Sequence, residues 1–230
     1  MLFSDAHCHL DFFDDYKAVL KRAKNEGVGS VFSCSTDFSS MKKHAEFFLP
    51  LKEVKVALGI HPVDLLKMSD LQIKEGMAFL REKAPNASAI GEIGLDYKYG
   101  KKKSERDLQE KYFTEQVEIE LENNFPIVVH CRYSEEKTFQ LLELLGAKKV
   151  LLHWFTNSID FVKMASKKNY FMSAGPSIFS HESAQKVAKE IPLDLLLLET
   201  DAPVSFDGMQ SEPSWIPKVA QKIGQLKELS

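Results

Sequence analysis

Eight times along this chain a short apolar run, rich in β-branched residues, is followed by a stretch of helical period. The runs lie near 2–6, 28–34, 54–60, 87–91, 126–130, 149–153, 170–173 and 194–199. The helical stretches lie near 14–26, 39–50, 70–83, 105–124, 134–145, 157–168, 181–190 and 213–228. In the longest, Leu108, Tyr112, Phe113, Val117 and Leu121 are expected to share one face, since residues three and four apart align on a helix. Near-continuous apolar strands suit a parallel sheet covered on both sides. Strand–helix repetition therefore predicts an α/β fold with right-handed crossovers. Eight units in 230 residues predict a single-domain (β/α)8 TIM barrel over residues 1–230, a size such barrels commonly have. A doubly wound open sheet is the alternative.

Residues able to bind metal close five of the eight runs. His7 and His9 follow the first, Glu92 the fourth, His130 the fifth, His153 the sixth and Asp201 the eighth. A closed barrel brings the C-terminal ends of its first and last strands around one point, and barrel active sites sit on that face. Four histidines and two carboxylates suit Zn²⁺ or Mn²⁺, and carboxylates with water also hold Mg²⁺. The pattern predicts a hydrolytic centre with two divalent metal ions.

Each member has its own logic. On a strand, His7 and His9 point to the same side and Cys8 to the other. Glu92 lies in Gly91-Glu92-Ile93-Gly94, where glycines allow close approach of backbone and metal, and its two oxygens could bridge two ions. It could equally be an acidic turn residue. His130 and His153 read as ligands or as satisfied core histidines. Arg132, two beyond His130, faces the same side as an anion-binding guanidinium or makes a surface salt bridge. Asp201 binds metal and accepts the proton of attacking water, or caps a turn before Pro203. His61 is a candidate substrate contact. Asp96 and Tyr97 either support the site or merely build its loop. Cys8 and Cys131 read as small buried apolar residues.

Charge excludes a bulk attraction for nucleic acid. With 30 basic and 33 acidic residues the net charge is −3, so any affinity for phosphates must be local. Lys98, Lys101, Lys102, Lys103 and Arg106 are either such a local patch, acting by counterion release, or a solvated loop. Tyr97, Tyr99, Tyr133, Trp154 and Phe155 are candidates for stacking on bases or for ordinary packing. Three scattered cysteines make a poor disulfide framework and suit a reducing compartment. No secretory pattern is evident and no apolar run approaches the 18 residues of a membrane span. A cytoplasmic protein with no membrane association and no obligate protein partner is expected.

Six ordered motifs carry a family resemblance. Asp5-Ala6-His7-Cys8-His9-Leu10-Asp11, Gly59-Ile60-His61-Pro62, Gly91-Glu92-Ile93-Gly94-Leu95-Asp96-Tyr97, His130-Cys131-Arg132, His153-Trp154-Phe155-Thr156 and Glu199-Thr200-Asp201-Ala202-Pro203 closely resemble those of TatD-type metal-dependent deoxyribonucleases. The resemblance implies an amidohydrolase-like TIM barrel that cleaves DNA, most simply as an exonuclease. It implies that His7, His9, Glu92 and Asp201 hold one metal and that Glu92, His130 and His153 hold the second. Glu92 and Asp201 then serve catalysis, while His61 and Arg132 engage substrate phosphate. One departure stands out. The segment from Val204 to Pro213 is short and lacks arginine, where the family tends to carry an Arg-Gly-containing loop.

Two rivals follow from the same residues. An amidohydrolase or small-ester hydrolase could use this metal centre, because fold does not fix substrate. A non-catalytic metal- or nucleic-acid-binding protein is the other, and the complete ligand set with its candidate base argues against it.

Overall fold

The computed structural model describes residues 2–229. In chain order come β1 (Phe3–Cys8), α1 (Tyr16–Asn25), β2 (Val28–Cys34), α2 (Phe38–Lys43), β3 (Val54–Leu58), α3 (Pro62–Leu65) and α4 (Asp70–Lys83). Next are β4 (Ala89–Asp96), α5 (Lys103–Asn123), β5 (Ile127–Arg132), α6 (Glu135–Leu145), β6 (Val150–Leu152) and α7 (Ile159–Lys167). The chain ends with β7 (Phe171–Ala174), α8 (Glu182–Glu190), β8 (Leu196–Leu198), β9 (Ser205–Phe206), β10 (Met209–Gln210) and α9 (Ile216–Leu226). Strands β1 to β8 follow chain order in one sheet, and the pairings β1–β2, β3–β4, β4–β5 and β7–β8 are parallel. This is the strand order of the (β/α)8 class, as the repetition of runs predicts.

The chain forms two compact units, Met1–Ser33 with Leu152–Ser230, and Cys34–Leu151. In the first, β1 pairs with β2 on one side. On the other side Cys8 bridges in parallel to Ala202, and the His9 and Asp201 N–H groups donate to Ala202 O and His7 O at 2.7 and 3.0 Å. The first strand is thus stitched to the chain leaving the last. The Asp5 carboxylate adds to this seam, accepting from the N–H of His7 and from the N–H and hydroxyl of Thr200. Ile216, Val219 and Ile223 recur at helical spacing and form the buried face of α9. Val219 and Ile223 pack in one cluster with Ala174, Ile178, Ala184 and Ala188. Burying each such branched side chain contributes about 1.5–3 kcal/mol.

In the second unit, β4 and β5 pair in parallel from Ile90 against Ile127 to Asp96 against Arg132. Ser69 and Gln72 make a reciprocal capping box that starts α4, and Gly146 in the left-handed region ends α6. Helix α5 departs from its expected face. Leu121 is exposed, whereas the buried residues include Gln109, Gln116 and Glu120 beside Phe113 and Val117. The glutamines are buried because they satisfy backbone groups. Gln116 accepts from Ile60 N–H at 2.7 Å and donates to Ile60 O at 3.2 Å. Gln109 accepts from Asp96 N–H and donates to Pro62 O, each at 3.1 Å. Such polar work leaves no trace in the apolar periodicity of the helix.

Other boundaries shift too. The expected helix 39–50 is α2 followed by a π-helical turn, His44–Phe48. Strand β4 runs on to Asp96, which places Glu92 within the strand rather than beyond it. The segment after Asp201 folds into the small hairpin β9–β10, turned by Asp207 and Gly208 at φ 49° and 78°, a pair suited to tight hairpins.

Candidate active site

In the first unit three ligand atoms converge. His7 Nε2 and His9 Nε2 lie 3.2 Å apart, and Asp201 Oδ1 is 3.3 Å from the former and 3.4 Å from the latter. His7 sits on β1, whereas His9 is just past it, capping a short 3-10 turn, so both rings face Asp201 without a shared strand. His7 is fully buried and His9 nearly so. Burial by itself would raise the Asp201 carboxyl, but hydrogen bonds from His7 and His9 outweigh it and hold the group far below the usual carboxylate range. The near-equilateral triangle leaves a point about 2 Å from all three atoms, the length of Zn–N and Zn–O bonds. Two buried imidazoles and a carboxylate aimed at one point fit a divalent cation.

His153 lies in the same unit, stacked on His7 with ring centroids 4.1 Å apart, and its Nδ1 is 3.9 Å from Glu199 Oε1. Glu199 is fully buried. It accepts from the Trp154 N–H at 2.6 Å and from the Ser173 hydroxyl at 2.5 Å. Burial raises its pKa to about 8. The same cause takes Asp5 to about 7. Neither acid has a role predicted from the sequence. Their signal was position alone, since each stands two residues from a proposed ligand, and their partners are scattered between residues 7 and 200.

In the second unit, Glu92 is the hub. His130 Nδ1 is 2.9 Å from its Oε1 and His61 Nε2 is 3.5 Å from the same oxygen. His61, Glu92 and His130 offer ligand atoms within 4.8 Å of one another, as do His7, His9 and Asp201. This too is a donor set suited to a divalent ion. Asp96 completes the surroundings of His130, its Oδ2 lying 3.0 Å from Nε2. Burial would depress the His130 imidazolium, but the two carboxylates prevail and raise its pKa to about 9. His61, expected as a substrate contact, therefore also stands among candidate ligands. Its position is set by Pro62 at the start of α3, where Nδ1 accepts from the Val63 N–H at 3.3 Å. Arg132 is exposed at the end of β5, paired in register with Asp96.

The glycines around Glu92 serve the sheet. A Cβ on Gly91 would meet Val128 Cβ at 2.7 Å, and one on Gly94, whose φ is +146°, would meet His130 O at 1.9 Å. They let β4 approach β5 closely, which holds Glu92 against His130. The neighbours that leave no room for a side chain at these positions belong to β5.

Outlying candidates divide. Phe155 is core and Tyr97 donates its hydroxyl to Glu110 at 2.6 Å, whereas Tyr99 and Tyr133 are exposed. In the basic loop Lys103 pairs with Asp107 at 2.7 Å, Lys102 with Glu105 at 3.6 Å, and Arg106 donates to Gly100 O. Cys8 is buried and donates to Phe32 O, and neither it nor Cys131 belongs to a candidate metal group.

Comparisons with known proteins agree in direction. The family model described as TatD related DNase matches residues 4–230. The chain is 35% identical to the uncharacterized metal-dependent hydrolase YabD of Bacillus subtilis, covering 100% of this chain and 92% of that protein. It is 30% identical to the human deoxyribonuclease TATDN3, covering 98% and 88%. Among solved structures, the TatD homolog YJJV of Escherichia coli K12 superposes with a TM-score of 0.87 at 27% identity, covering 97% of this chain and 90% of that one.

Proposed function

This chain belongs to the TatD-related DNase family, and on that premise we propose that it is a deoxyribonuclease cleaving DNA phosphodiester bonds, as an exonuclease. It is a metal-dependent hydrolase with the (β/α)8 fold. The observation that carries the reading is the triangle of His7, His9 and Asp201, with sides of 3.2, 3.3 and 3.4 Å. We propose two divalent ions, Zn²⁺, Mn²⁺ or Mg²⁺. His7, His9 and Asp201 serve one, and His130 and His153 serve the other. Glu92 serves both, as the family resemblance implies. Residues 1–230 act as one catalytic domain in this reading.

When bound, the ions supply an acidified water and positive charge against the phosphate oxygens. The protein's own groups do the rest. Asp201, whose Oδ1 lies 3.3 and 3.4 Å from the Nε2 atoms of His7 and His9, stands beside that water as the carboxylate that accepts its proton. Arg132 offers a planar pair of donors to a non-bridging oxygen, and His61 Nε2 offers a second contact. Burial of His7, His9 and Glu92 keeps competing water from the ligand atoms.

One observation favours a small-ester or amide substrate instead. Three of the five loop cations are already engaged, two by carboxylates and one by a carbonyl, which weakens the loop as a DNA track. End-labelled DNA separates the readings. A metal-stripped sample given Mn²⁺, Mg²⁺ or Zn²⁺ should produce a ladder shortening from one end. Loss of a small ester or amide with DNA left whole would favour the rival.

No helix among the described residues is long and apolar enough to cross a membrane. No disulfide joins Cys8, Cys34 and Cys131, in keeping with the cytoplasmic location we propose.

A further inference from the structure

Phe12 closes the short 3-10 turn, Leu10–Phe12, that follows β1, and it is 53% exposed. Single exposed apolar side chains are ordinary on a protein surface, so placement has to distinguish this one. The Phe12 ring stacks on the imidazole of His9, with centroids 5.4 Å apart and planes 27° from parallel. His9 Nε2 in turn lies 3.2 Å from His7 Nε2 and 3.4 Å from Asp201 Oδ1. Phe12 thus flanks the candidate metal triangle, one ring removed from its ligand atoms, and His9 covers only one of its faces.

The turn holds that ring in place. Leu10 is fully buried and its N–H donates to Ser33 Oγ at 3.0 Å. The N–H groups of Phe12 and Phe13 donate to His9 O and Leu10 O at 3.3 and 3.2 Å, and the His9 N–H donates to Ala202 O at 2.7 Å. A fixed, flat, apolar face beside a hydrolytic centre suits stacking on a planar ring of the substrate. The segment from Val204 to Pro213, which follows Asp201, has no lysine or arginine, and Val204 and Met209 are exposed in it. That segment offers apolar surface and no cation to a phosphate chain. Among the described residues of the first unit, the other aromatic side chain more than a third exposed is Phe171, which opens β7 at the opposite end of the strands.

We propose that Phe12 is a substrate-binding residue on which a nucleobase of the DNA strand stacks while the neighbouring phosphate lies at the metal centre. The inference rests on the deoxyribonuclease reading above and adds to it a contact with the base. Every base has a π-face, so such a contact holds successive nucleotides whatever their sequence.

Two oligomers of equal length separate this role from a structural one. One is an end-labelled oligothymidylate, followed by its cleavage. The other carries tetrahydrofuran in place of every nucleoside, which keeps the phosphates and removes the bases, and is read as a competitor through its inhibition constant. Phe12→Ala should raise KM for the oligothymidylate about 5–150-fold, the range for one lost base stack, with little change in kcat. It should move the inhibition constant of the abasic chain far less. Phe12→Leu keeps an apolar cover on His9 but has no π-face, and should show the same selective loss. Phe12→Trp should restore the wild-type KM. Unchanged KM in Phe12→Ala and Phe12→Leu, or equal losses with the two oligomers, overturns the base contact and leaves Phe12 as a cover for His9. Wild-type protein that leaves the oligothymidylate whole with Mn²⁺, Mg²⁺ and Zn²⁺ overturns the deoxyribonuclease reading and this inference together.

Discussion

Asp201 concentrates the chemistry in one residue. It adopts φ 48°, a left-handed conformation that costs a non-glycine residue of order 1 kcal/mol or more and gathers at functional sites. That backbone bend aims Oδ1 at His7 and His9. Asp201→Asn keeps the shape and removes the charge, and turnover should fall at least about 10²-fold, the low end for a lost acid–base group, with circular dichroism unchanged. Wild-type turnover would remove Asp201 from the mechanism. Glu199 gives a pH prediction. Its native pKa of about 8 lies above the ordinary 4.5, so the folded chain keeps a proton that the unfolded chain releases. The stability this brings is present below about pH 4.5 and is lost as pH rises through about 8. In chelator, Glu199→Gln should unfold at a progressively higher temperature than wild type between pH 5 and 9. Parallel profiles would show that Glu199 does not titrate there. Neither Asp5 nor Glu199 was legible in the sequence as a working group, because an acid beside a ligand looks the same whether it is buried or solvated.

At the scale of elements, the alternation of runs located all eight strands and their helices, since parallel strands buried on both faces read as unbroken apolar stretches. What it missed follows from polar work inside elements. Gln109 and Gln116 occupy the buried face of α5 because they hold the loops of Pro62 and Ile60, and no hydrophobic period records that. The hairpin β9–β10 was equally hidden. Its two-residue strands are too short for alternation to show, although Asp207-Gly208 is a turn signal. The close approach of β4 to β5 yields a prediction of its own. Gly94→Ala would place a methyl group 1.9 Å from His130 O at a φ of +146°. It should destabilise the fold by about 2–3 kcal/mol or more and weaken metal binding through His130. A variant with native unfolding midpoint and native metal content would refute this account of the glycine.

At the scale of the molecule, a net charge of −3 leaves attraction for DNA to a few local cations. Lys102 and Lys103 are committed to acids, whereas among the described residues the side chains of Lys98 and Lys101 make no ion pair. Neutralising Lys98 and Lys101 should flatten the salt dependence of single-strand binding by up to about 0.7 in slope per lost phosphate contact. Neutralising Lys102 and Lys103 should do less, and the reverse ranking would show that the ion pairs open on binding. Family motifs made the candidate ligand residues legible, because chemistry restricts which side chains can hold an ion. Substrate is less legible, because fold does not fix it and the segment 204–213, where the family resemblance leads one to expect an arginine, has none.

In the proposed reading, histidines and carboxylates of this chain bind divalent ions, and hydrolysis requires them. The most direct measurement titrates metal-stripped protein with Mn²⁺ or Zn²⁺ while following bound equivalents and cleavage of labelled DNA together. The account predicts no cleavage in chelator, activity rising as two ions bind per chain, and loss of one equivalent in each of His9→Ala and His130→Ala. Full cleavage by metal-free protein, or both variants binding and cutting as wild type does, would contradict it.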